Sequence, residues 1–202
     1  MTTNVLNTVE NNNRVNNSFV LGTRLTREEI QAHTADNESP ALYIGTYGKY
    51  NAGSLRGLWV DITSFDDIES FYEFLRAFHA DEADPEFMAQ DFQNFPKMLY
   101  SESLDLESVE KIMDLFSSYD DNEREAIFEY WDEIDSTCDA SDILDKLAYT
   151  GEFSDYAAMM ADEQLSCANC EDWVKNYFDY AAFESDLRFD YHITDNFVFY
   201  AY

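Results

Sequence analysis

Several residues of types that can perform chemistry lie close together after His79. Asp81, Asp84 and Glu86 offer carboxylate oxygens, which are the ligands that Ca²⁺ and Mg²⁺ prefer. An EF-hand loop, however, needs a glycine at its sixth position and a glutamate at its twelfth, and the run 58–150 contains no glycine. We therefore expect no metal site, although a metal-dependent hydrolase centred on this segment stays open as one hypothesis.

The cysteines and histidines give no stronger indication of catalysis. Cys167 and Cys170 have the spacing of a redox pair or half a zinc site, but no second pair accompanies them, so ordinary thiols are expected. None of His33, His79 and His192 lies in a Gly-x-Ser-x-Gly or Cys/His setting. The sequence also lacks a Walker A or dinucleotide-binding glycine motif. We expect no catalytic residue and no cofactor.

Composition excludes another large class of function. The 202 residues include 42 Asp and Glu against 12 Lys and Arg, a formal net charge of −30 at pH 7. Binding to phosphates needs clustered Lys and Arg, so the chain is not expected to bind nucleic acid. Aromatic residues make up 16% of the chain, which is unlike an acidic disordered segment, and the chain is therefore expected to fold.

The remaining global features favour the cytoplasm. Three cysteines are too few for a disulfide framework, and the sequence begins without a charged and then apolar signal peptide. No apolar run approaches the length needed to span a bilayer. An anionic surface is also repelled by anionic lipid, so we expect no membrane contact.

The negative charge is concentrated in the later part of the chain. Residues 1–40 are polar and rich in Asn, which predicts a flexible extension with one short helix starting near Thr26, capped through Glu29. Residues 41–60 contain no acid, whereas residues 61–202 contain 37 acids and 7 bases. The charge therefore belongs to the expected folded body.

The segment 41–100 is predicted to be an N-terminal α+β domain. Ala41 to Tyr47 and Ser54 to Ile62 are rich in β-branched and aromatic residues, which predicts a hairpin with a six-residue loop. Ile68 to Ala80 is expected to be a helix, with Ser64 as its N-cap. Glu86 to Phe95 is ambiguous between a short strand and a turn.

Helical periodicity dominates the next part of the sequence. We divide it into a helical middle domain, 101–150, and a C-terminal α+β domain, 151–202. The fold class is α+β, an elongated protomer of three small parts. The predicted elements are helices at 103–119, from about 121, at 141–149, at 154–165 and at 173–187, followed by a hairpin at 191–202 that turns near Asp195 and Asn196.

Acids in two of the middle helices recur at helical spacing beside the apolar residues. Four helical residues advance about 6 Å along the axis, and two phosphate steps along one DNA strand advance about 6.8 Å, at about 3.4 Å each. Such acids therefore approximate a row of phosphates, and 30 charges correspond to about 50 Å of duplex. A heavily solvated surface, for example in a halophile, is the plainer alternative. These acids are Glu107, Glu110 and Asp114 in one helix and Glu125, Glu129 and Asp132 in the next.

Three segments carry a resemblance to a known family. They run from Tyr43 to Trp59, from His79 to Asp91 and from Tyr177 to Leu187, and in this order the sequence resembles the ArdA antirestriction proteins encoded on conjugative plasmids and transposons. The resemblance covers about residues 41–202.

The resemblance implies a non-enzymatic DNA mimic that forms a homodimer. Its acids would occupy the DNA-binding groove of type I restriction-modification enzymes, with the methyltransferase core and its specificity subunit as the partner. The acid-free Tyr43 to Trp59 motif would serve the fold. The partner-facing acids would be Asp81, Asp84, Asp91, Glu107, Glu110, Asp114, Glu125, Glu129, Asp132, Asp135, Asp142 and Asp145.

The closing aromatic segment is more apolar than a small helix and hairpin need. We expect Trp173, Tyr177 and Phe178 to contribute to a dimer contact in addition to the core. The main alternative function is that of an acidic interaction protein, which would bind other basic or DNA-binding proteins without a restriction target.

Overall fold

The computed structural model of the protein describes residues 24–168 and 171–202. A three-stranded antiparallel sheet forms early in the chain, a second one forms late, and helices lie between them. The predicted α+β class is confirmed. The boundaries drawn at residues 100 and 150 and the elongated shape stay predictions.

The first helix, α1, spans Arg27–Ala32 and confirms the cap predicted near Thr26. The Thr26 hydroxyl accepts from the Glu29 amide at 3.2 Å, and a Glu29 carboxylate oxygen accepts from the Thr26 amide at 2.7 Å. Each side chain thereby satisfies an amide that the helix itself cannot pair. Residues 1–23 of the predicted extension lie outside the described residues.

The chain after α1 packs onto the first sheet. The Ala35 amide donates to the Trp59 carbonyl at 3.0 Å, and the Asp61 amide donates to the His33 carbonyl at the same distance. The buried ring of His33 stacks on Phe65, with 4.1 Å between ring centroids. Residues 33–35 are thus held against the sheet, in contrast to the flexible extension expected for 1–40.

The first sheet comprises β1 (Ala41–Thr46), β2 (Leu58–Asp61) and β3 (Phe87–Gln93), in the order β2-β1-β3. The predicted hairpin is confirmed, and the ambiguous segment from Glu86 is a strand. The connection is longer than the six residues expected, because a one-turn helix, α2 (Tyr47–Asn51), follows β1 directly.

Two glycines shape this connection. Gly53 has φ +80°, a conformation that L side chains rarely adopt, and it lies in the turn after α2. At Gly57 a Cβ atom would lie only 2.7 Å from the Ile44 carbonyl oxygen. Residue 57 therefore has to be glycine, because its backbone lies too close to the Ile44 carbonyl for any side chain.

Helix α3 spans Ile68–Phe78, as predicted, but its N-cap is Asp67. An Asp67 carboxylate oxygen accepts from the Ser70 amide at 2.8 Å. The prediction of Ser64 was wrong, because Ser64 ends a short 3₁₀ turn and donates its hydroxyl to the Asp61 carbonyl at 2.7 Å.

The middle of the chain forms helices α4 (Leu106–Ser118), α5 (Asp121–Glu133) and α6 (Ala140–Lys146). All three were predicted, α4 and α5 from apolar periodicity, but α6 ends earlier than expected. Its predicted last turn is strand β4 (Leu147–Thr150), because this segment pairs with a strand near residue 198 that local periodicity cannot reveal.

The later part contains α7 (Phe153–Cys167), α8 (Asp172–Lys175) and α9 (Tyr180–Leu187), followed by strands β5 (Tyr191–Ile193) and β6 (Phe197–Tyr200). The hairpin is confirmed, and the second sheet has the order β4-β6-β5. The single helix expected at 173–187 was wrong. Asp179 has a non-helical backbone, and its carboxylate accepts from the Ala182 amide at 3.0 Å, which starts α9 as a new helix.

Strand β6 lies between two apolar cores. Phe197 and Phe199 belong to the main cluster, which runs from β1 through α3, α4 and α5. Val198, which points to the opposite face, packs with Phe153 and Tyr156 in a second cluster. One strand thus joins the helical middle to α7.

None of the helices in the described ranges combines the length and the apolarity that crossing a membrane requires.

Candidate functional site

The structure places the predicted partner-facing acids at the surface. Eleven of the twelve are exposed, and Glu129 is half-buried. Asp81 and Asp84 lie between α3 and β3, and the others follow in chain order along the surface elements. They are Asp91 in β3, Glu107, Glu110 and Asp114 in α4, Glu125, Glu129 and Asp132 in α5, Asp135 after α5, and Asp142 and Asp145 in α6.

Helix α4 shows why these acids face outward. Val109, Ile112 and Leu115 are almost completely buried in the main core, whereas Glu107, Glu110 and Asp114 on the other side are exposed. In α5, Ala126 and Ile127 and the rings of Tyr130 and Trp131 are buried in the same way. The apolar stripes hold the two helices in the orientation that exposes their acids.

Few cations oppose this charge. Within 24–168 and 171–202, Asp81 is the one predicted acid with a Lys or Arg nitrogen within 4.0 Å. Arg124 pairs instead with Asp121, and Arg188 pairs with Glu184 at 3.6 Å. The carboxylates of α4 and α6 therefore present negative charge that no neighbouring cation neutralises directly.

Glu129 has a structural role in addition to its charge. Its Oε2 accepts from the Thr194 hydroxyl at 2.5 Å, and its Oε1 accepts from the Asn196 side-chain amide at 2.6 Å. The Asn196 backbone amide also donates to Oε2 at 3.3 Å. These bonds fasten the turn between β5 and β6 to α5, so the side chain is held in place rather than free at the surface.

Two further predicted acids also bind the backbone. Asp132 Oδ1 accepts from the Met98 amide at 3.3 Å, and Asp135 Oδ1 accepts from the Thr137 amide at 2.9 Å. The hydrogen bonds from Thr137 lower the pKa of Asp135. Both carboxylates remain exposed, and they hold their positions through these contacts.

Carboxylates crowd together at the end of α5. Partial burial, followed by the charges of Asp195, Glu129 and Asp132, raises the pKa of Glu133. Sequence analysis missed Glu133 and Asp195 as members of this group. The adjacency of Asp132 and Glu133 was a signal in the sequence, but the approach of Asp195 depends on the docking of the β5–β6 turn.

The segment after His79, which the sequence offered as a metal site, forms a network of hydrogen bonds and ion pairs around Lys49. Lys49 of α2 is buried, and its Nζ lies 3.0 Å from Asp81 Oδ1 and 3.0 Å from His79 Nδ1. It also donates a short hydrogen bond to Glu82, and Arg56 Nη1 lies 3.1 Å from the second Asp81 oxygen. Lys49 and Glu82 were not identified from the sequence, because they are 33 residues apart in the chain and meet only where the end of β1 pairs with the start of β3.

The pKa values in this network follow from burial and charge. Burial, and then the positive charge of Lys49, lower the pKa of His79 from 6.5 to about 4. The hydrogen bond from Lys49 lowers the pKa of Asp81. Burial acts to raise the pKa of Glu82, but the hydrogen bonds from Lys49 and Thr46 outweigh it and the net shift is downward.

His79, Asp81 and Glu82 offer ligand atoms that all lie within 4.8 Å of one another, a spacing that suits a metal ion. The Lys49 ammonium, however, makes a hydrogen bond to each of the three. A positive group of the chain itself thus holds these ligands together. Asp84 and Glu86, which the sequence grouped with Asp81, do not belong to this set.

The three residues predicted at a dimer contact differ in exposure. Trp173 is 61% exposed and Tyr177 is 83% exposed, whereas Phe178 is half-buried against Tyr180 and Phe183. The exposed pair forms an aromatic patch, with ring centroids 6.3 Å apart. The expectation that Cys167 and Cys170 are ordinary thiols stays a prediction, since Cys170 lies outside the described residues.

The fold and surface define a small, strongly acidic α+β protein whose middle helices expose rows of carboxylates. A family model described as Antirestriction protein (ArdA) matches residues 42–199, and the chain belongs to this family. The resemblance drawn from the three motifs is thereby confirmed. A comparison with curated proteins gave no match. Family membership supports an antirestriction function and implies interaction with restriction-modification enzymes.

Proposed function

We propose that this protein is a non-enzymatic DNA mimic that competitively occupies the DNA-binding groove of type I restriction-modification enzymes. Its partner is the methyltransferase core with the specificity subunit, and its effect is to protect incoming mobile DNA. The observation that carries the proposal is the set of exposed, largely unpaired carboxylates on α4, α5 and α6 in a chain of the ArdA family.

The protein and a DNA-binding groove carry opposite charges. A groove that binds duplex DNA presents Lys and Arg to phosphates, and a protein of net charge −30 offers the same cations a compact anionic surface. Glu107, Glu110 and Asp114 repeat along one exposed helix face. One helical turn advances about 5.4 Å, and two phosphate steps along one DNA strand advance about 6.8 Å. The repeat allows several cations to be engaged together.

The stability cost of the charge supports a functional role. Like charges three or four residues apart destabilise a helix by a few tenths of a kcal/mol per pair. In the part of the chain that the structure describes, most of these acids have no cation that would offset this cost. A cationic partner would compensate for it on binding.

The proposal is tested by competition for a purified type I methyltransferase core. A fluorescent DNA duplex containing the recognition site is bound first, and the protein is then titrated in. We expect displacement of the duplex, and a measured affinity that falls steeply between 50 and about 200 mM salt. Stable coexistence of duplex and protein on the enzyme would overturn the proposal.

Group substitutions test whether the acids act together. The triple variant Glu107→Gln, Glu110→Gln, Asp114→Asn should weaken inhibition by about 10-fold or more, if each lost contact contributes about 0.5 kcal/mol. Each single amide should have little effect. The matched control removes three other exposed acids, Glu28, Asp66 and Glu69, and should lose clearly less.

The same titration distinguishes the DNA mimic from the alternative function. An acidic interaction protein without a restriction target would bind many basic proteins and would show no preference for the methyltransferase core. Equal affinity for the core and for an unrelated basic protein of similar charge would favour that alternative over the mimic.

We also propose that the protein acts as a homodimer through the patch formed by Trp173 and Tyr177. Exposed aromatic rings of this size are typical of protein contacts. The double variant Trp173→Ser, Tyr177→Ser should shift the mass in analytical ultracentrifugation from dimer to monomer. Leu55→Ser, at another exposed apolar position, should leave the mass unchanged. A monomeric wild-type protein at micromolar concentration would refute the dimer.

A further inference from the structure

A cleft of about 490 Å³ opens between α3, the start of β3 and the segment that leads into α4. Its volume is within the range of small-ligand sites. Its walls combine three kinds of side chain, namely carboxylates, aromatic rings and leucines. They are provided by Asp84, Glu86, Tyr72, Phe87, Leu104 and Leu106.

The two carboxylates and the two rings are suited to a cation. Asp84 and Glu86 are exposed, and neither has a Lys or Arg nitrogen within 4.0 Å in the described ranges. The rings of Tyr72 and Phe87 lie at 88° with centroids 5.3 Å apart, and the half-buried Tyr72 is the more exposed of the two. The leucines provide an apolar lining for the stem of a long side chain.

The chain's own arginines show what this combination binds. Arg56 lies with Cζ 5.6 Å from the ring centroid of Phe78 while Nη1 contacts Asp81 at 3.1 Å. Arg188 lies 5.0 Å from the Phe153 ring and pairs with Glu184.

Arg124 repeats the arrangement. Its Cζ lies 4.7 Å from the Phe116 ring, and it also contacts Asp121. Three arginines therefore each engage one ring and one carboxylate together. A planar guanidinium can stack on a ring and bind a carboxylate at once, which a lysine ammonium does less well.

We propose that the cleft of Tyr72, Asp84 and Glu86 receives an arginine side chain from the DNA-binding groove of the restriction-modification enzyme. This inference rests on the proposed function and deepens it. Rows of exposed acids attract any cationic groove, whereas a cleft with a ring and two carboxylates selects arginine and fixes the register of the complex.

The first test compares two pairs of acids in the DNA-competition assay. Asp84→Asn with Glu86→Gln should weaken inhibition by about 10-fold or more, because a hydrogen bond to a charged group contributes about 1.5 kcal/mol or more. The control Asp155→Asn with Glu163→Gln removes two exposed acids from α7 and should cost less than about threefold. If the wild-type protein displaces DNA and the two double variants lose the same amount of inhibition, the cleft does not bind an arginine. The proposed function is unaffected by that outcome.

The second test isolates the ring. Tyr72→Leu keeps an apolar side chain without a π face and should weaken inhibition by about three- to fivefold. Tyr72→Phe keeps the ring, so its loss should be smaller than that of Tyr72→Leu. A larger loss for the phenylalanine variant would contradict stacking and would indicate a role for the hydroxyl instead.

A third test does not depend on the enzyme. Tetra-arginine and tetra-lysine peptides are titrated into the wild-type protein, and the NMR signals of Tyr72, Ser103 and Leu104 are followed. We expect the arginine peptide to shift these signals at lower concentration than the lysine peptide, and the Asp84→Asn, Glu86→Gln variant to lose the difference. Equal, diffuse shifts with both peptides would refute the cleft. Selective shifts in a protein that fails to displace DNA would support the cleft as an arginine site and refute the proposed function.

Discussion

The Nζ atom of Lys49 lies 3.0 Å from Nδ1 of His79, and both side chains are buried. An ammonium can only donate, so Nδ1 must accept and the imidazole is neutral at this nitrogen. Lys49 follows β1 and His79 follows α3, and each lies within one of the segments that carry the family resemblance. The contact therefore joins the first motif to the second inside the N-terminal sheet region.

Acid should destabilise the protein through His79. Its pKa is about 4 in the folded chain and 6.5 in the unfolded reference, so between these values the unfolded state binds the extra proton. Stability is therefore present above pH 6.5 and is lost as the pH falls toward 4, by about 3 kcal/mol. Urea unfolding across this range measures the slope.

The histidines provide matched variants for this measurement. His79→Asn should lower the stability at pH 7 and flatten the slope between pH 6.5 and 4. His192→Asn, at an exposed position, should leave the slope as it is. An unchanged slope in His79→Asn would show that another group causes the acid sensitivity.

Removal of the buried ammonium should be costly. Lys49→Met removes the ammonium that donates to His79 and Glu82, and leaves Glu82 with the Thr46 hydroxyl as its remaining donor. It should lower the free energy of unfolding by about 2–3 kcal/mol. Lys97→Met, at an exposed position, should change it by less than about 0.5 kcal/mol. Chemical denaturation of both variants gives the comparison, and similar values for the two would contradict the network.

Glu129 should matter more for stability than its neighbours on α5. Glu129→Ala removes the acceptor for Thr194 and Asn196 and should cost about 2 kcal/mol in denaturation experiments. Glu125→Ala, on the same helix but exposed, should cost less than about 0.5 kcal/mol. Equal costs would mean that the turn between β5 and β6 docks without this side chain.

Neutralising Glu133 should stabilise the fold. Burial and three neighbouring acids raise its pKa, so its ionised form is disfavoured in the folded state. Glu133→Gln should therefore raise the urea midpoint at pH 7, and the gain should shrink as the pH falls through the raised pKa and in about 1 M salt. A lower midpoint at pH 7 would show that the charge has a favourable partner.

The sequence predicted the elements whose causes are local. The stripe of Val109 and Met113 placed α4, and the Thr26 and Glu29 pair placed the start of α1, because both signals lie within a few residues of the element. Strand β4 was mistaken for helix because its partner Phe199 lies about fifty residues further on. Asp67 was missed as an N-cap because Ser64 is an equally good cap by residue type.

The acids of the candidate surface were likewise predicted where local spacing places them, and their long-range contacts were missed. Helical spacing sufficed to place Glu107 and Glu110 on an exposed face. It could not reveal that Glu129 holds a turn, or that Asp81 is paired with Lys49, since both contacts join distant segments. Whether these acids face a restriction-modification enzyme stays a prediction.

The position of β6 has a consequence for synthesis on the ribosome. A nascent chain that has emerged only through α7 lacks Phe199 to cover Tyr130 of α5, and lacks Val198 to cover Phe153. Two apolar faces thus stay exposed until the four residues of β6 have been synthesised. A chain that ends with α7 contains 35 of the 42 acids and 10 of the 12 bases, a net charge of −25. We expect the mutual repulsion of such chains to keep neighbouring nascent chains apart until β6 is made.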